Sequence, residues 1–296
     1  MLIAILPFLA AALCLNPASA LQLTLGCTSQ SQPNPIASTY PDQITGTING
    51  TLAVLPITLE EAQSIVGPKY KILTAAYREL LPDFPKDMYP AIIQAVLDHD
   101  VQAGGIHIPD FSRASIEYPF LDLLNNSHTS FRLSLNQTLT GSSLGLAGSA
   151  AYGTNVYPAS FDPPCDAYDH SPYFTARPFL VPSPNTTDST YFTAFFHPAD
   201  SSPYPLPFFV NVTNQPSFAD PARGCDRQVR MFNTSVTEKP FEPVLVKGSV
   251  WAAEPFFPSG TGGGRAWDGV RGVRVDTAFI EYNYLPSVVR WSKMPR

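Results

Sequence analysis

Charge is scarce in this chain. Only 14% of its residues are Asp, Glu, Lys or Arg, and the formal net charge is -6. A phosphate-binding face needs clustered Lys and Arg; none is found, which argues against a nucleic-acid partner. Cysteine is also sparse, with 4 in the whole chain and no C-x-x-C pair. The histidines His99, His107, His128, His170 and His197 show neither H-x-x-x-H nor H-x-x-E-H spacing, so no metal site is read from them. The glycine run Gly260 to Gly264 lacks the strand-loop-helix setting of a phosphate loop, and no cofactor is expected. Beyond the first 20 residues no apolar run is long enough to span a bilayer as a helix. The 31 prolines leave few places for long helices.

What is present begins with MLIAILPFLAAALCLNPASA, an apolar stretch ending in Ala18, Ser19 and Ala20. It reads as a secretory signal cut after Ala20, so the protein is expected to be secreted. N-x-Ser/Thr sequons begin at Asn49, Asn125, Asn136, Asn185, Asn211 and Asn233, in keeping with glycans that supply the solubility a low-charge surface lacks. Cys14 leaves with the signal, and an oxidising compartment favours one bridge among Cys27, Cys165 and Cys225. Cys165 and Cys225 share a Cys-Asp context and are the expected pair; a bridge through Cys27 is the alternative.

Residues 21–48 are polar and Pro-rich and read as an extended arm, with a single domain over 49–296. TLAVLPI reads as a strand. Thr58 and Glu61 form a capping box for a short helix, whose residues Leu59, Ala62, Ile65 and Val66 share a face. Gly67-Pro68 stops it, and YKILTAAY reads as a strand. PAIIQAVLDHD fits helix or strand. The later short runs, including FSRASIEYPFLDLL, SFRLSLNQTL, TYFTAFF, PFFVNVT, RQVRMFNTS, FEPVLVKGSV and GVRVDTAFIEYNY, are aromatic or β-branched and punctuated by Pro, Gly, Asn and Ser. That is the pattern of an antiparallel, mainly β domain.

Three places hold candidate chemistry. Gly141-Ser142-Ser143-Leu144-Gly145 matches the nucleophile elbow G-x-S-x-G, but no alternating β/α pattern surrounds it, and a turn is the reading. Asp98-His99-Asp100 sets an imidazole between carboxylates, against the alternative of a solvated element end. Arg113, Ser115 and Glu117 share one face of a strand, with Ala114, Ile116 and Tyr118 on the other. The first face is either a buried polar constellation or an ordinary surface pair.

The segments LLPDFPKDMYP, LDHD, PDFSRASIEYPFLDLL, AGSAAYGT, FDPPCDAY, SPYPLPFFVNVTNQPSFAD and FNTS resemble uncharacterised secreted proteins of filamentous fungi. More distantly, through TLEEAQSIV, the Glu117 strand and the small-residue run before Tyr152, the chain resembles the acetoacetate decarboxylase superfamily. That resemblance implies a mainly β (α+β) fold: an antiparallel acetoacetate decarboxylase-like β-barrel with a few short helices. It also implies that Glu117 faces a pocket as general base, with Arg113 binding a carboxylate or enolate and His99 relaying protons. Tyr118, Phe120 and Tyr152 are the candidate substrate contacts. In the family a Gly-Arg-Glu stretch precedes an aromatic residue and a Pro-Lys-Lys turn that carries the Schiff-base lysine. Here Ser149-Ala150 replace Arg-Glu after Gly148, and Asn155-Val156-Tyr157 replace Pro-Lys-Lys. The implied function is acid-base chemistry on a small keto- or polyketide-like molecule without a Schiff base, set in fungal secondary metabolism. The alternative is a secreted binding protein that kept the barrel and lost the chemistry. Lys247, in the apolar PVLVKGSV, is the one candidate for a displaced nucleophile, against a core-edge lysine that snorkels to solvent.

Overall fold

A computed structural model describes residues 32–140, 143–164, 173–178, 190–232, 236–237, 239–258 and 264–285. The expected signal, Cys27, Cys165, Asn185 and Asn233 lie outside these residues. In chain order the elements are β1 (Ile44–Thr58), α1 (Leu59–Val66), β2 (Lys71–Ile72), α2 (Thr74–Leu80), β3 (Met88–Ala103) and β4 (Ile106–Ile108). Then come β5 (Phe111–Asp122), β6 (Phe131–Leu133), β7 (Asn136–Leu139), α3 (Ser143–Ala151), β8 (Asn155–Asp162) and β9 (Tyr173–Pro178). The chain continues through β10 (Phe192–Pro198), α4 (Leu206–Thr213), β11 (Ser217–Phe218), β12 (Cys225–Arg230), β13 (Val244–Ala252) and β14 (Arg265–Leu285). The first strand thus begins at Ile44, five residues before the expected domain start.

The strands close on themselves. β1 pairs antiparallel with β14 and β3, β3 with β5, β5 with β6, β11 with β12, and β12 returns to β14. The β6–β11 step is parallel. Seven strands therefore form a closed barrel, which removes the exposed edges an open sheet would present. A second circuit leaves β5 through β7, β8, β9, β10 and β13 to reach the first half of β14. β1 and β3 belong to both circuits, and their side chains are buried almost without interruption. This is the observed form of the mainly β, antiparallel barrel with a few short helices.

Where β10 and β13 lie side by side, glycine sets the approach. At Gly248 an added Cβ would lie 1.7 Å from the Phe195 carbonyl oxygen of β10, and backbone cannot yield as a side chain can. Gly248→Ala is expected to destabilise the barrel by about 3 kcal/mol, as overpacking against rigid atoms does. Urea unfolding checks this; a loss below about 1 kcal/mol would mean the β10–β13 contact is plastic.

The cap of α1 forms as expected, with Thr58 Oγ1 accepting from Glu61 N at 3.0 Å, and Gly67 ends the helix at φ 78°. Three local expectations are corrected. YKILTAAY is only a two-residue strand and then α2, since the alanines favour helix once Tyr77 is anchored in the core. PFFVNVT is the helix α4, whose Phe208, Phe209, Val212 and Thr213 are buried at helical spacing. Of the G-x-S-x-G stretch, Ser143, Leu144 and Gly145 belong to the helix α3 and not to a turn, while Gly141 and Ser142 lie outside the described residues. The ambiguous PAIIQAVLDHD is strand.

Candidate functional site

Strand alternation sends every second residue inward, and around this barrel much of the inward set is polar. β3 contributes Gln94 and Asp98, β5 contributes Arg113 and Glu117, and β6 contributes Arg132. β12 supplies Asp226, Gln228 and Arg230, and β14 supplies Glu281. Together they wall a cavity of about 220 Å³. The small residues Gly145, Gly148 and Ser149 of α3, followed by Tyr152 and Thr154, form another side of it. That is what the uncharged run GLAGSAAYGT does: its lack of side chains leaves room beside a charged wall.

Burying so much charge requires partners. Arg113 grips Asp98 across the β3–β5 pair, with Nε to Oδ2 at 2.6 Å and Nη2 to Oδ1 at 3.3 Å. Burial alone would lower the Arg113 pKa, but Asp98, with Glu117 and Glu281 adding to it, leaves it raised. Arg132 Nε lies 2.6 Å from Glu117 Oε2, an ion pair whose N–H is not aligned as a hydrogen bond. Ser115 donates to the other Glu117 oxygen at 3.1 Å. Arg132 also donates to the Val212 and Thr213 carbonyls at the C-terminal end of α4, at 3.1 and 2.8 Å, where the helix dipole favours a cation.

Two further carboxyl groups have no arginine held against them by such a fork. Asp226 and Glu281 are enclosed by protein mass, although part of their surface opens on the cavity. Burial pushes the Glu281 carboxyl up to about 8, with Asp226 and Asp98 adding to the rise, and Gln228 Nε2 donates to its Oε2 at 3.5 Å. Burial likewise raises Asp226 to about 6, against the opposing pull of Arg132 and Arg113. Asp226 Oδ1 has no hydrogen-bond partner. The cavity wall therefore sets a carboxylate with one buried, unpartnered oxygen beside a carboxyl group that burial raises to about 8, a pairing suited to proton transfer. Among the described residues no cluster of three His, Cys, Asp or Glu is arranged to hold a metal ion, and no helix is long and apolar enough to cross a membrane.

No protein-family model and no curated protein matches the chain. Solved structures to which it is similar are acetoacetate decarboxylase-like proteins. One is an acetoacetate decarboxylase from Legionella pneumophila, at 9% identity over 81% of this chain and 85% of that one, with a TM-score of 0.43. Another is the enduracididine biosynthesis enzyme MppR, complexed with the condensation product of pyruvate and imidazole 4-carboxaldehyde. It is 9% identical over 87% of this chain and 95% of that one, with a TM-score of 0.42. A third is an acetoacetate decarboxylase-like enzyme from Sphingomonas wittichii, 7% identical over 81% of this chain and 91% of that one, with a TM-score of 0.40.

Of the expected site residues, the barrel brings Arg113, Glu117 and Tyr152 to the cavity. Arg113 is not the partner of Glu117; that place is taken by Arg132, and Arg113 belongs to Asp98. His99 is buried but faces away from the cavity, its Nδ1 at 2.9 Å from the exposed Asp100. It follows Asp98 by one residue and so lies on the opposite face. A bulge opposite Thr45–Thr47, with Asp100 at φ 49°, then turns Val101 back inward. Tyr118 and Phe120 also point away. Tyr118 alternates with Glu117, and Phe120 packs with Tyr77 and Phe208 in the apolar core. They are packing residues and not substrate contacts.

Cys225 is a free, fully buried thiol, and burial raises its pKa to about 11. The expected Cys165–Cys225 bridge is not formed at Cys225. Asn49 is 3% exposed in the middle of β1, between β3 and β14, and has no room for a glycan. Asn136 Nδ2 donates to the Pro255 carbonyl at 2.8 Å. Asn125 and Asn211 are exposed. Lys247 is exposed on β13 and does not line the cavity.

Arg132, Asp226, Arg230 and Glu281 are not singled out by the sequence. Their signal is there: CDRQVR and FIEYN place polar residues at alternate strand positions. Such alternation ordinarily marks a solvent face; only closure of the barrel turns it inward.

Proposed function

We propose that this protein is an enzyme that moves protons on a small keto- or polyketide-like molecule, without a Schiff-base lysine. The observation that carries the reading is the cavity whose wall holds Asp226 beside Glu281, the carboxyl that burial raises to about 8. Asp226 would remove a proton from the carbon next to a carbonyl. Glu281 would give a hydrogen bond, then a proton, to the oxygen on which the negative charge collects. Aldol, dehydration, cyclisation or decarboxylation chemistry all begin or end on such an enolate. Glu117, engaged on both oxygens by Ser115 and Arg132, positions the wall and is not the base.

The absence of a lysine around the cavity among the described residues, with Val156 where the resemblance expects an amine, supports proton transfer over imine chemistry. The leader-like N-terminus supports export, and the exposed sequons at Asn125 and Asn211 support glycosylation. A role in fungal secondary metabolism rests on the resemblance of the sequence segments.

The test is solvent exchange. In D2O, the protein should load deuterium next to the carbonyl of a 2-oxo or 3-oxo acid, read by proton NMR. Borohydride added to the same mixture should leave every lysine unmodified by mass spectrometry. Binding of oxo acids without exchange would make the protein a binding module, and a reduced adduct at Lys247 would restore covalent catalysis.

A further inference from the structure

The polar wall does not run all the way round the cavity. On the side where β1 begins and β3 ends, Ile44, Val101, Ile108, Phe111 and Phe279 line it instead. Strand register makes them one surface. Ile108 of β4 is the cross-strand partner of Val101, and Phe111 opens β5 opposite Asp98. Val101 and Phe279 both reach over Gly46, where an added Cβ would lie 2.7 Å from Phe279 Cζ and 2.9 Å from Val101 Cγ2. These two are buried and form a floor, whereas Ile44, Ile108 and Phe111 keep part of their surface exposed. The arc also reaches the acid. Ile44 is the direct partner of Glu281 across β1 and β14, and Phe279 precedes Glu281 by two residues on the same face.

We propose that this arc binds an apolar tail of the substrate. The inference rests on reading the cavity as a substrate site, and it adds the class of molecule: an amphipathic carbonyl compound with a plain hydrocarbon chain. With the carbonyl oxygen at Glu281, the side chains flanking that acid are Ile44 and Phe279. A chain on the carbonyl carbon runs along them toward Val101, Ile108 and Phe111. The side chains of this arc carry no donor or acceptor. A hydroxyl or a charge in the tail would lose its water there without gaining a partner, whereas each methylene gains by leaving water. Size sets the length. A cavity of about 150 Å³ takes a benzene ring, so one of about 220 Å³ takes roughly nine non-hydrogen atoms. The carbonyl and its two flanking carbons use four of these, which leaves about five for the tail.

Ligand-observed NMR titration with the neutral methyl ketones from acetone to 2-nonanone tests this. Affinity should rise about fourfold per added methylene and level off near 2-octanone, where the cavity is full. 4-Hydroxy-2-butanone has a hydroxyl where 2-pentanone has its last methyl, and should bind about tenfold more weakly than 2-pentanone. Ile108→Asn puts an amide into the arc from β4, a strand at the end of the sheet path, and should cut the gain from acetone to 2-octanone about tenfold. Phe111→Ala enlarges the arc and should move the plateau to longer ketones. Thermal unfolding of each variant checks that the barrel is intact; if Phe111→Ala fails to fold, Ile108→Asn carries the test. A flat ketone series, or equal binding of 4-hydroxy-2-butanone and 2-pentanone, would overturn the tail assignment and leave the cavity reading standing. Folded variants that keep the parent's gradient and plateau would do the same. Failure of every ketone to bind would overturn the cavity reading itself.

Discussion

Replacing Glu117 with leucine is expected to lower the free energy of unfolding by about 3–5 kcal/mol, the cost of stranding a buried charge. Glu117 and Arg132 face each other at 2.6 Å with side chains 5% and 4% exposed. Leu fills much of the same space but leaves Arg132 with the Val212 and Thr213 carbonyls as its hydrogen-bond acceptors and Asp226 as the remaining carboxyl group near it. Glu117→Gln keeps an oxygen toward the guanidinium and should cost less, about 1–3 kcal/mol, as an uncompensated hydrogen-bonding change does. The decisive variant is the double exchange Glu117→Leu with Arg132→Met. Removing both charges together recovers much of the loss, because apolar replacement of a buried pair is close to neutral. Urea unfolding of the four proteins reads the cycle. A Glu117→Leu variant within about 1 kcal/mol of the parent would show that the pair is hydrated and contributes little.

The difference between Arg113 and Arg132 as partners of Glu117 also marks what a sequence can show. Alternation along FSRASIEYPF is local, so the shared face of Arg113, Ser115 and Glu117 is legible without any structure. Which arginine meets Glu117 depends on how β6 and α4 close over β5, and that is not local. The same holds for Asp226, Arg230 and Glu281. Their strands are legible as strands, but a polar stripe reads as solvent-facing until the sheet closes and makes it the inside. His99 fails for a different reason. A bulge at Asp100 adds one residue to β3 opposite β1, and no residue type there announces which of Asp98 and His99 turns inward. α2 and α4 read as strands because aromatic and β-branched residues fit strands by propensity, while the helical spacing of their buried positions is visible only against a known core. The capping box at Thr58 and the small-residue run before Tyr152 are legible because each acts through its own few residues.

The largest catalytic effect should come from Asp226. Asp226→Asn keeps the side chain's shape but removes the free oxygen's basicity, and deuterium loading of the substrate should fall by about 10²–10⁴-fold. In the parent the rate requires Asp226 deprotonated and Glu281 protonated. With the first raised to about 6 and the second to about 8, exchange should peak between these values and fall about tenfold per pH unit on either side. Stability should follow a different course. Both groups have folded pKa values above their ordinary 3.8 and 4.5, so the folded state holds protons that the unfolded chain releases. Their contribution is fully present below about pH 4 and is lost as pH rises through 6 and then 8. Glu281→Gln cannot ionise and should flatten that decline. At pH 9 the variant should be more stable than the parent by a few kcal/mol at most, since each tenfold change in a protonation equilibrium is about 1.4 kcal/mol. The same variant should lose exchange activity at every pH, since the acid is gone. Thermal unfolding and exchange rates measured across pH 4–10 on one set of samples therefore separate the two roles. A Glu281→Gln protein that exchanges deuterium at the parental rate would remove Glu281 from the chemistry. One that is less stable than the parent at pH 9 would mean that Glu281 is ionised and paired when folded, contrary to the wall described above.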